Sequence, residues 1–450
     1  MAGHRVSILS LHYPPDATGV APYAGALAAG LSARGRDVTA RVAHPFYPEW
    51  KIRAGYGQWR RTEGIDGVTV HRLRHYVPRP PCGVRRLLSE LSLGIRFAFG
   101  RFDPESVVIA ISPALFATAM AVLRVRLTRN RPRLIVWVQD LYALGMVETK
   151  EGGGLSTGIT KMVERFVLCS ADRVVVIHPR FAVYVADEMQ VDPARIEVIR
   201  NWTHLKPSPL TSQQDGRVAL GWPTESVLAV HTGNMGAKQG LENIVEAARL
   251  ADDRRSPIVF VLVGGGGERD RLEQLAKGVE RIKFVDPLGE SEYRNALAAA
   301  DCLLVNELPG VSSMAVPSKL TSYFDAARPI VAATDQGGIT AGEIELARAG
   351  VVVPAGDPEA LLEAVLELSR DLKRASAYAT AGRRFRTETL DAGGALSAFD
   401  RLVTDVASEQ RSCATKPDAG GSSRRGLRVA MRRRIAVRKS QQVTVLGAKG

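Results

Sequence analysis

The sequence predicts an α/β protein with two facing, doubly wound, Rossmann-like domains. Three observations support this fold class. Short apolar runs rich in β-branched residues alternate with segments of helical periodicity, the alternation covers both halves of the chain, and a polar segment separates the halves. Strands that alternate with helices form a parallel sheet with helices on both faces. The 450 residues, 45% of them hydrophobic, are sufficient for two such domains with complete cores.

The predicted strands follow one another along both halves. In the first half they are RVSILSL, DVTARVA, GVTVHRL, VVIAIS, LIVWVQD, RVVVIH and IEVIRN. After the polar segment WTHLKPSPLTSQQDG, they are VLAVHTG, IVFVLVGG, IKFVD, CLLVNE, PIVAAT and GVVVPAG. We therefore expect an N-terminal domain at 1–203, a C-terminal domain at 204–388, a helix at 389–410 that packs back on the first domain, and a disordered basic tail at 411–450.

Positive charge is concentrated at the C-terminal end. Of the net charge of +13, residues 411–450 contribute +10, from 11 Lys or Arg and the single acid Asp418. The rest of the chain has nearly equal numbers of basic and acidic residues. This argues against nucleic-acid binding, because a protein that binds nucleic acid is expected to carry its basic residues on a folded surface. The tail instead predicts attraction to an anionic membrane surface. The segment VRRLLSELSLGIRFAFG at 84–100 is interpreted either as a membrane-surface helix or as a core helix with a basic flank.

Cysteine usage and the first residues predict a cytoplasmic protein. The four cysteines are scattered and have no metal-ligand spacing. The first apolar run is too short and too soon interrupted for a signal peptide. No Asp-x-Asp motif occurs, so no metal ligand is assigned.

Glycine-rich loops that follow the strands of the second half form the candidate site, because open α/β sheets bind ligands at the carboxyl ends of their strands. A glycine-rich turn before a helix brings backbone N–H groups close to a phosphate, and the helix N-terminus and a lysine stabilise its charge. Each loop alone is equally well explained as a structural turn, but their repetition favours a nucleoside diphosphate. The candidate residues here are Gly233, Asn234, Lys238, Gly264, Gly265, Leu288, Ser318, Lys319, Ser322, Gly337, Gly338 and Glu343.

One of these loops partly matches a dinucleotide-binding fingerprint. Gly264 and Gly266 fit its first two glycines, and Asp286 lies about where an acid would contact a ribose. The third glycine position is Arg269, however. An NAD-linked oxidoreductase is therefore disfavoured.

The motifs TGNMGAKQGLE, LVGGGGERDRLE, VPSKLTSYFDAARPIVA and GVVVPAGDPEAL, in this order, resemble the donor domain of retaining GT-B glycosyltransferases related to glycogen synthase. They are similar in particular to the branch that builds colanic acid, capsule and exopolysaccharide. The segments HYPPDATGVAPYAGALAAGL and RVVVIHPRFAVYVADEMQVDPARIEVIRNW extend the resemblance to the first half. It implies metal-independent, retaining transfer from a UDP- or GDP-sugar to a lipid-linked or glycan acceptor, such as a polyprenyl-diphosphate-linked sugar, at the inner membrane face.

The resemblance also implies roles for individual residues. Lys238 occupies the position of the basic residue that holds the donor diphosphate, and Gly19 lies in the N-terminal glycine loop that approaches the same phosphates. Ser318 and Lys319 match the Pro-Ser-Lys motif of the branch at the donor site. From the residues themselves, Ser318 is also expected to cap the following helix.

Two positions depart from the family pattern. The arginine expected a few residues before the lysine is Asn234, and the second glutamate of the paired-glutamate motif is Ser322. Either Ser322 makes a weaker ribose contact, or Glu343 or Glu345 supplies the carboxylate.

Asp140, at the end of the predicted strand LIVWVQD, is the candidate acceptor-side base; the alternative is a structural carboxylate that ends a strand. Lys238 is the candidate for stabilising charge on the leaving diphosphate. Two other functions stay open. One is a nucleotide-sugar epimerase of the same fold. The other is a catalytically inactive, glycosyltransferase-like binding protein, because of Asn234 and Ser322.

Overall fold

The computed structural model describes residues 5–16, 19–47, 49–80, 83–100, 107–112, 114–128, 131–148, 154–202, 210–310 and 318–409. The predicted tail at 411–450 lies outside the described residues, as does Pro317 of the Pro-Ser-Lys motif. The described residues form two parallel-sheet α/β domains, which confirms the predicted fold class.

The N-terminal domain is built on an eight-stranded sheet. Its strands are β1 (Val6–Ser10), β2 (Val38–Ala43), β3 (Arg60–Ile65), β4 (Val68–Leu73), β5 (Val107–Ser112), β6 (Arg133–Val138), β7 (Arg173–Val176) and β8 (Ile196–Val198). Their spatial order is β3-β4-β2-β1-β5-β6-β7-β8, and only β3 is antiparallel to its neighbour. The helices are α1 (Ala21–Ser32), α2 (Gly83–Ala98), α3 (Leu115–Leu127), α4 (Tyr142–Glu148), α5 (Gly154–Ser170) and α6 (Pro179–Asp187).

The C-terminal domain is built on a six-stranded, fully parallel sheet. Its strands are β9 (Val227–Thr232), β10 (Ile258–Val263), β11 (Ile282–Val285), β12 (Cys302–Asn306), β13 (Ile330–Ala333) and β14 (Gly350–Val353), in the order β11-β10-β9-β12-β13-β14. The helices are α7 (Gln213–Leu220), α8 (Glu242–Asp253), α9 (Arg269–Leu275), α10 (Glu290–Ala299), α11 (Lys319–Asp325), α12 (Ile339–Ala347), α13 (Pro358–Arg370) and α14 (Leu372–Thr389).

The apolar runs form the strands. They are apolar because helices cover both faces of each sheet and bury the side chains. Strand β5 is buried at every position, as its sequence VVIAIS requires. Strand β3 is the exception that the sequence reading missed. Its sequence RRTEGI has no apolar run, and its side chains alternate between exposed and half-buried positions. The available signal was the turn Asp66-Gly67, both residues of which have positive φ, as a two-residue hairpin turn requires.

The last described helix, α15 (Ala392–Ser408), packs on the N-terminal domain. The Phe399 ring lies 4.9 Å from that of Trp137, between centroids, and Arg36 pairs with Asp400 at 2.8 Å. A Cβ on Gly30 would lie 2.7 Å from Leu396, so α1 and α15 approach closely. Across the described ranges, no helix combines the length and the apolar character needed to cross a bilayer.

Candidate active site

The carboxyl ends of the two sheets contribute the residues of the candidate site. From the N-terminal domain come the loop after β1, which leads to Gly19, and Asp140 after β6. From the C-terminal domain come the loops after β9, β10, β12 and β13. The Tyr23 hydroxyl of α1 interacts with Thr321 of α11, so the two domains meet beside these loops.

The two glycine loops after β9 and β10 lie directly against each other. The N–H of Met235 donates to Gly265 O at 2.8 Å. A Cβ on Gly264 would lie 2.1 Å from Gly233 O, and one on Gly266 would lie 2.4 Å from Met235 O. Gly264 and Gly266 also have positive φ. Glycine is therefore required at both positions for the loops to touch, whatever ligand they bind.

Arg269 anchors the second glycine loop from behind. Its guanidinium donates to Gly264 O at 2.6 Å and pairs with Asp286 at 2.9 Å. The acid that a dinucleotide site would use for its ribose is thus engaged by the residue that replaces the third glycine. Leu288, further along the same edge, is half-buried and packs against the C-terminal core.

Lys238 is exposed at the tip of the first glycine loop, close to Asn234, which is also exposed. The turn that carries Lys238 is fixed by Asn306 at the end of β12, whose side-chain amide donates to Gln239 O and Gly240 O, both at 2.8 Å. The backbone of Leu308 donates to Lys238 O at 2.9 Å. Lys238 therefore lies on a turn that these hydrogen bonds hold in place, at the carboxyl edge of the sheet.

Asp140, in the other domain, lies within reach of the charge of Lys238. It is partly exposed, burial raises its pKa, and the charges of Lys238 and Arg86 oppose that shift. The loop after Asp140 is fixed by Glu164, which accepts from Tyr142 N at 2.8 Å. The structure thus brings the two candidate catalytic residues within electrostatic range of each other.

Lys319 reaches under the first glycine loop from α11. A Cβ on Gly233 would lie 3.7 Å from Lys319 Nζ, and Nζ lies 3.1 Å from Nε2 of the fully buried His231. Burial lowers the pKa of Lys319 to about 7, and the nearby Glu307 opposes this shift. The pKa of His231 lies well below its ordinary value because of burial and the Lys319 charge. His231 is therefore neutral and accepts a hydrogen bond from Lys319.

Glu307, at the end of β12, belongs to the same cluster. Its carboxylate accepts from Thr340 Oγ1 at 2.5 Å and also from the hydroxyl of Thr334. Burial raises the pKa of Glu307, while these hydrogen bonds and the Lys319 charge lower it. The cluster holds the Lys319 ammonium beside the backbone of Gly233.

The structure changes the interpretation of two serines, Ser318 just before α11 and Ser322 within it. Ser318 has helical backbone angles and makes no capping hydrogen bond, so the expected cap is absent. A side-chain oxygen reaches the N–H groups of the first turn from an extended residue, and Ser318 is not extended. Ser322 is fully buried and bonds to Tyr293 in a cluster of hydroxyl groups with Thr232. Its position does not support direct contact with a ribose.

Glu343 joins the two domains. Arg200 Nη1 contacts both carboxylate oxygens at 2.6 Å, and His178 Nε2 lies 3.0 Å from one of them. These contacts hold the pKa of Glu343 below its ordinary value although the residue is buried. At the same edge, Arg180 donates to Gly337 O, and Gly338 is the N-cap residue that precedes α12. Glu343 was the alternative to Ser322 as the ribose contact. To bind a ribose, its carboxylate would have to break these contacts with Arg200 and His178.

Gly19 lies at the start of α1, is exposed and has a φ of +63°. A Cβ there would meet no described atom within 4 Å. Glycine is therefore required by the backbone angle, and no described atom blocks the side on which a Cβ would lie. Over the described ranges, no three His, Cys, Asp or Glu residues lie close enough together to hold a metal ion.

Comparisons with known proteins agree with this two-domain arrangement. A family model described as "Glycosyl transferase 4-like domain" matches residues 18–202, and one described as "Glycosyl transferases group 1" matches residues 226–371. The chain is a glycosyltransferase of the GT-B fold. It is 28% identical over 411 residues to the putative colanic acid biosynthesis glycosyl transferase WcaI of Escherichia coli K12, covering 88% of this chain and 98% of WcaI.

Two solved structures illustrate the GT-B fold of this glycosyltransferase. Sucrose-phosphate synthase from Thermosynechococcus elongatus has a TM-score of 0.69 at 19% identity and covers 90% of this chain and 99% of its own. Anabaena HepE, solved in complex with UDP, has a TM-score of 0.64 at 15% identity and covers 89% of this chain and 100% of its own.

Sequence reasoning missed several polar residues of this glycosyltransferase. Glu307 had the clearest signal, as the first acid after an apolar strand in the half that carries the glycine loops. His231 lies within a strand and gave no signal. Arg200 and His178 follow β8 and β7, but nothing in the sequence pairs them with α12.

Proposed function

We propose that this glycosyltransferase transfers a sugar, with retention of anomeric configuration, from a nucleoside-diphosphate sugar to a lipid-linked or glycan acceptor. The observation that carries the proposal is the pair formed by Lys238 and Asp140. One comes from each domain, both lie at the carboxyl edges of the sheets, and the charge of Lys238 lowers the pKa of Asp140. A cation and a carboxylate opposed across a domain boundary suit a leaving diphosphate and an attacking hydroxyl.

In this proposal the donor diphosphate lies between the first glycine loop and Gly19. Lys238 contacts it from the exposed side. Lys319 contacts it from below, since its ammonium already lies against Gly233. Lys319 thereby supplies the second positive charge that the family places at Asn234. The departure at Asn234 is then compensated by a lysine from α11, which favours a working enzyme over an inactive binding protein.

The transfer itself needs few side chains. The bond between the sugar C1 and the diphosphate oxygen breaks, and the charge that develops on that oxygen is stabilised by Lys238 and Lys319. A bond from the acceptor oxygen to C1 forms on the same face, and the acceptor proton passes to Asp140. Because burial raises the pKa of Asp140, this carboxylate is a stronger base than an exposed aspartate.

The relatives support the substrate classes. HepE was solved with UDP, and WcaI is described as acting in colanic acid biosynthesis. We therefore infer a UDP- or GDP-sugar donor, a role in bacterial cell-surface polysaccharide biosynthesis, and a cytoplasmic enzyme that meets a polyprenyl-diphosphate-linked acceptor at the inner membrane face.

A transfer assay tests the proposal. The chain is incubated with a panel of UDP- and GDP-sugars, with and without a polyprenyl-diphosphate-linked monosaccharide, and products are analysed by mass spectrometry and NMR. We expect acceptor-dependent release of the nucleoside diphosphate and a glycosidic bond with the anomeric configuration of the donor. Epimerised donor without acceptor would identify an epimerase, and donor binding without any turnover would identify a binding protein; either result contradicts the proposal.

A further inference from the structure

Helix α2 carries apolar side chains on two opposite faces. The inner face packs into the N-terminal core through Leu93 and Phe97. The helical turn continues past Ala98, because Phe99 N donates to Ile95 O at 3.1 Å. The outer face exposes Val84 (71%), Leu88 (50%), Ile95 (47%) and Phe99 (87%). These positions repeat at the spacing of one face of a helix, so the chain presents a continuous apolar stripe to solvent.

Helix α3 extends this exposed apolar area. A Cβ on Gly94 of α2 would lie 2.6 Å from Met120 of α3, and Glu90 accepts from Phe116 N at 3.0 Å. The two helices therefore lie side by side and run in the same direction. The second half of α3 exposes Leu123 (48%) and Leu127 (75%), beside the end of α2. The α2–α3 face is defined as Val84, Leu88, Ile95, Phe99, Leu123 and Leu127.

Positive charge accompanies the α2–α3 face. The one acid within the two helices is Glu90, which is buried and accepts from Tyr142 OH at 3.1 Å. The guanidinium of Arg96 lies 3.8 Å from the ring centroid of Trp59, an exposed tryptophan. Exposed apolar residues with arginine and tryptophan at their edge are typical of helices that lie in a membrane interface. The arginines of the two helices are Arg85, Arg86, Arg96, Arg124 and Arg126.

We propose that the α2–α3 face docks on the surface of an anionic lipid bilayer. The charge of the face decides between this occupant and a second copy of the chain. In a two-fold dimer the same arginines would face one another, because each subunit contributes the same surface. Anionic headgroups instead neutralise the arginines while the interface takes up the apolar side chains.

The α2–α3 face begins next to Asp140, the candidate base. Docking therefore places the active site at the membrane, and this step rests on the proposed function. Arg86, in the first turn of α2, donates to Tyr142 OH at 3.3 Å, and its charge acts on Asp140. A chain seated on the bilayer through α2 therefore holds Asp140 near the membrane surface. A lipid-linked acceptor reaches the site from there without leaving the bilayer.

Vesicle binding tests the proposal with the full chain. Co-sedimentation is measured with vesicles of phosphatidylcholine and phosphatidylglycerol, and with phosphatidylcholine alone, for the wild type, Leu88→Ser, Phe99→Ser and Leu372→Ser. Leu372 is the matched control, since its exposure of 74% lies between those of Leu88 and Phe99 but it lies on α14. We expect Leu88→Ser and Phe99→Ser each to weaken partitioning into anionic vesicles about tenfold. Leu372→Ser should bind like the wild type, and added salt should weaken binding by all four proteins.

Four outcomes would overturn the docking proposal. They are a wild type that does not bind anionic vesicles, equal binding by wild type and α2 variants, an equal loss in Leu372→Ser, and a wild-type dimer that dissociates in the α2 variants without any vesicle binding. Melting temperature and affinity for the donor sugar are measured on the same samples. A wild type that does not bind the donor sugar would contradict the proposed function. The docking proposal would not be affected, because the vesicle data alone test it.

Discussion

Donor binding should depend on pH through Lys319. Burial lowers the pKa of Lys319 to about 7, so the ammonium form is present below pH 7 and is lost as the pH rises above it. A diphosphate binds the ammonium form, so binding is accompanied by proton uptake. About one molecule in ten carries the proton at pH 8 and about one in a hundred at pH 9. Donor affinity should therefore fall about tenfold for each pH unit above 7.

The groups around Lys319 do not account for this dependence. His231 is neutral throughout the range, because its pKa lies well below the ordinary value. Glu307 supports the ammonium form, so Glu307→Gln should move the fall in affinity to lower pH. Lys319→Arg keeps a positive charge over the whole range and should bind the donor with little pH dependence.

Titration calorimetry from pH 6 to pH 9 makes the measurement. The ligand is the donor nucleotide sugar identified by the transfer assay, because both of its phosphates stay singly ionised in this range. Repeating the titration in buffers of different ionisation enthalpy gives the number of protons taken up. Constant wild-type affinity, or the same pH dependence in Lys319→Arg, would refute the placement of Lys319 at the diphosphate.

Three further changes test other parts of the structure. Asp140→Asn should lower the transfer rate about 10²- to 10⁴-fold and leave donor affinity unchanged, and near-normal transfer would exclude a base at this position. Glu343→Gln should lower the free energy of unfolding by about 1–3 kcal/mol, because it weakens the ion pair with Arg200. Glu345 is exposed on the same helix, and Glu345→Gln should leave the free energy of unfolding unchanged. Gly264→Ala should cost at least about 1–3 kcal/mol, because backbone strain adds to the overlap of its Cβ with Gly233 O. Gly267→Ala, whose Cβ would meet no described atom within 4 Å, should be neutral in the same unfolding measurements.

The fold was predictable because each buried parallel strand is a continuous apolar run in the sequence. Thirteen strand segments were predicted, and each corresponds to a strand of the structure. A parallel strand covered on both faces must be apolar at nearly every position, so the sequence alone marks it. The missed strand β3 lies at the edge of its sheet, where exposed side chains remove that signal.

The candidate site was predictable only in part. Lys238 and Asp140 lie in loops that follow strands, and the rule that ligands bind at the carboxyl ends of strands selects these loops. Ser322 was expected as a possible ribose contact, but α11 buries its side chain against Tyr293. A hydroxyl can be satisfied inside a domain, so its presence in a helix does not show which face is exposed.

Glu343 shows a different limit of sequence reasoning. Its carboxylate is engaged by Arg200 of the other domain, 143 positions away in sequence. No local pattern encodes a contact of that separation. The same holds for the Lys319 ammonium beside Gly233, which depends on how α11 packs against the loop after β9.

The effect of Lys238 on the titration of Asp140 tests the central claim most directly. The positive charge of Lys238 favours the ionised carboxylate, so Lys238→Met should raise the pKa of Asp140. The base acts when ionised, and the acid limb of the pH profile of kcat/KM should therefore move to higher pH. Turnover should also fall about 30- to 1000-fold, which single-turnover assays at high enzyme concentration can follow.

Lys277→Met is the matched control for this measurement, because Lys277 is exposed and follows the end of α9, away from the glycine loops at its start. We predict that the acid limb moves in Lys238→Met and stays at its wild-type position in Lys277→Met. An unmoved acid limb in Lys238→Met, with transfer still measurable, would show that the two residues do not face each other across one site.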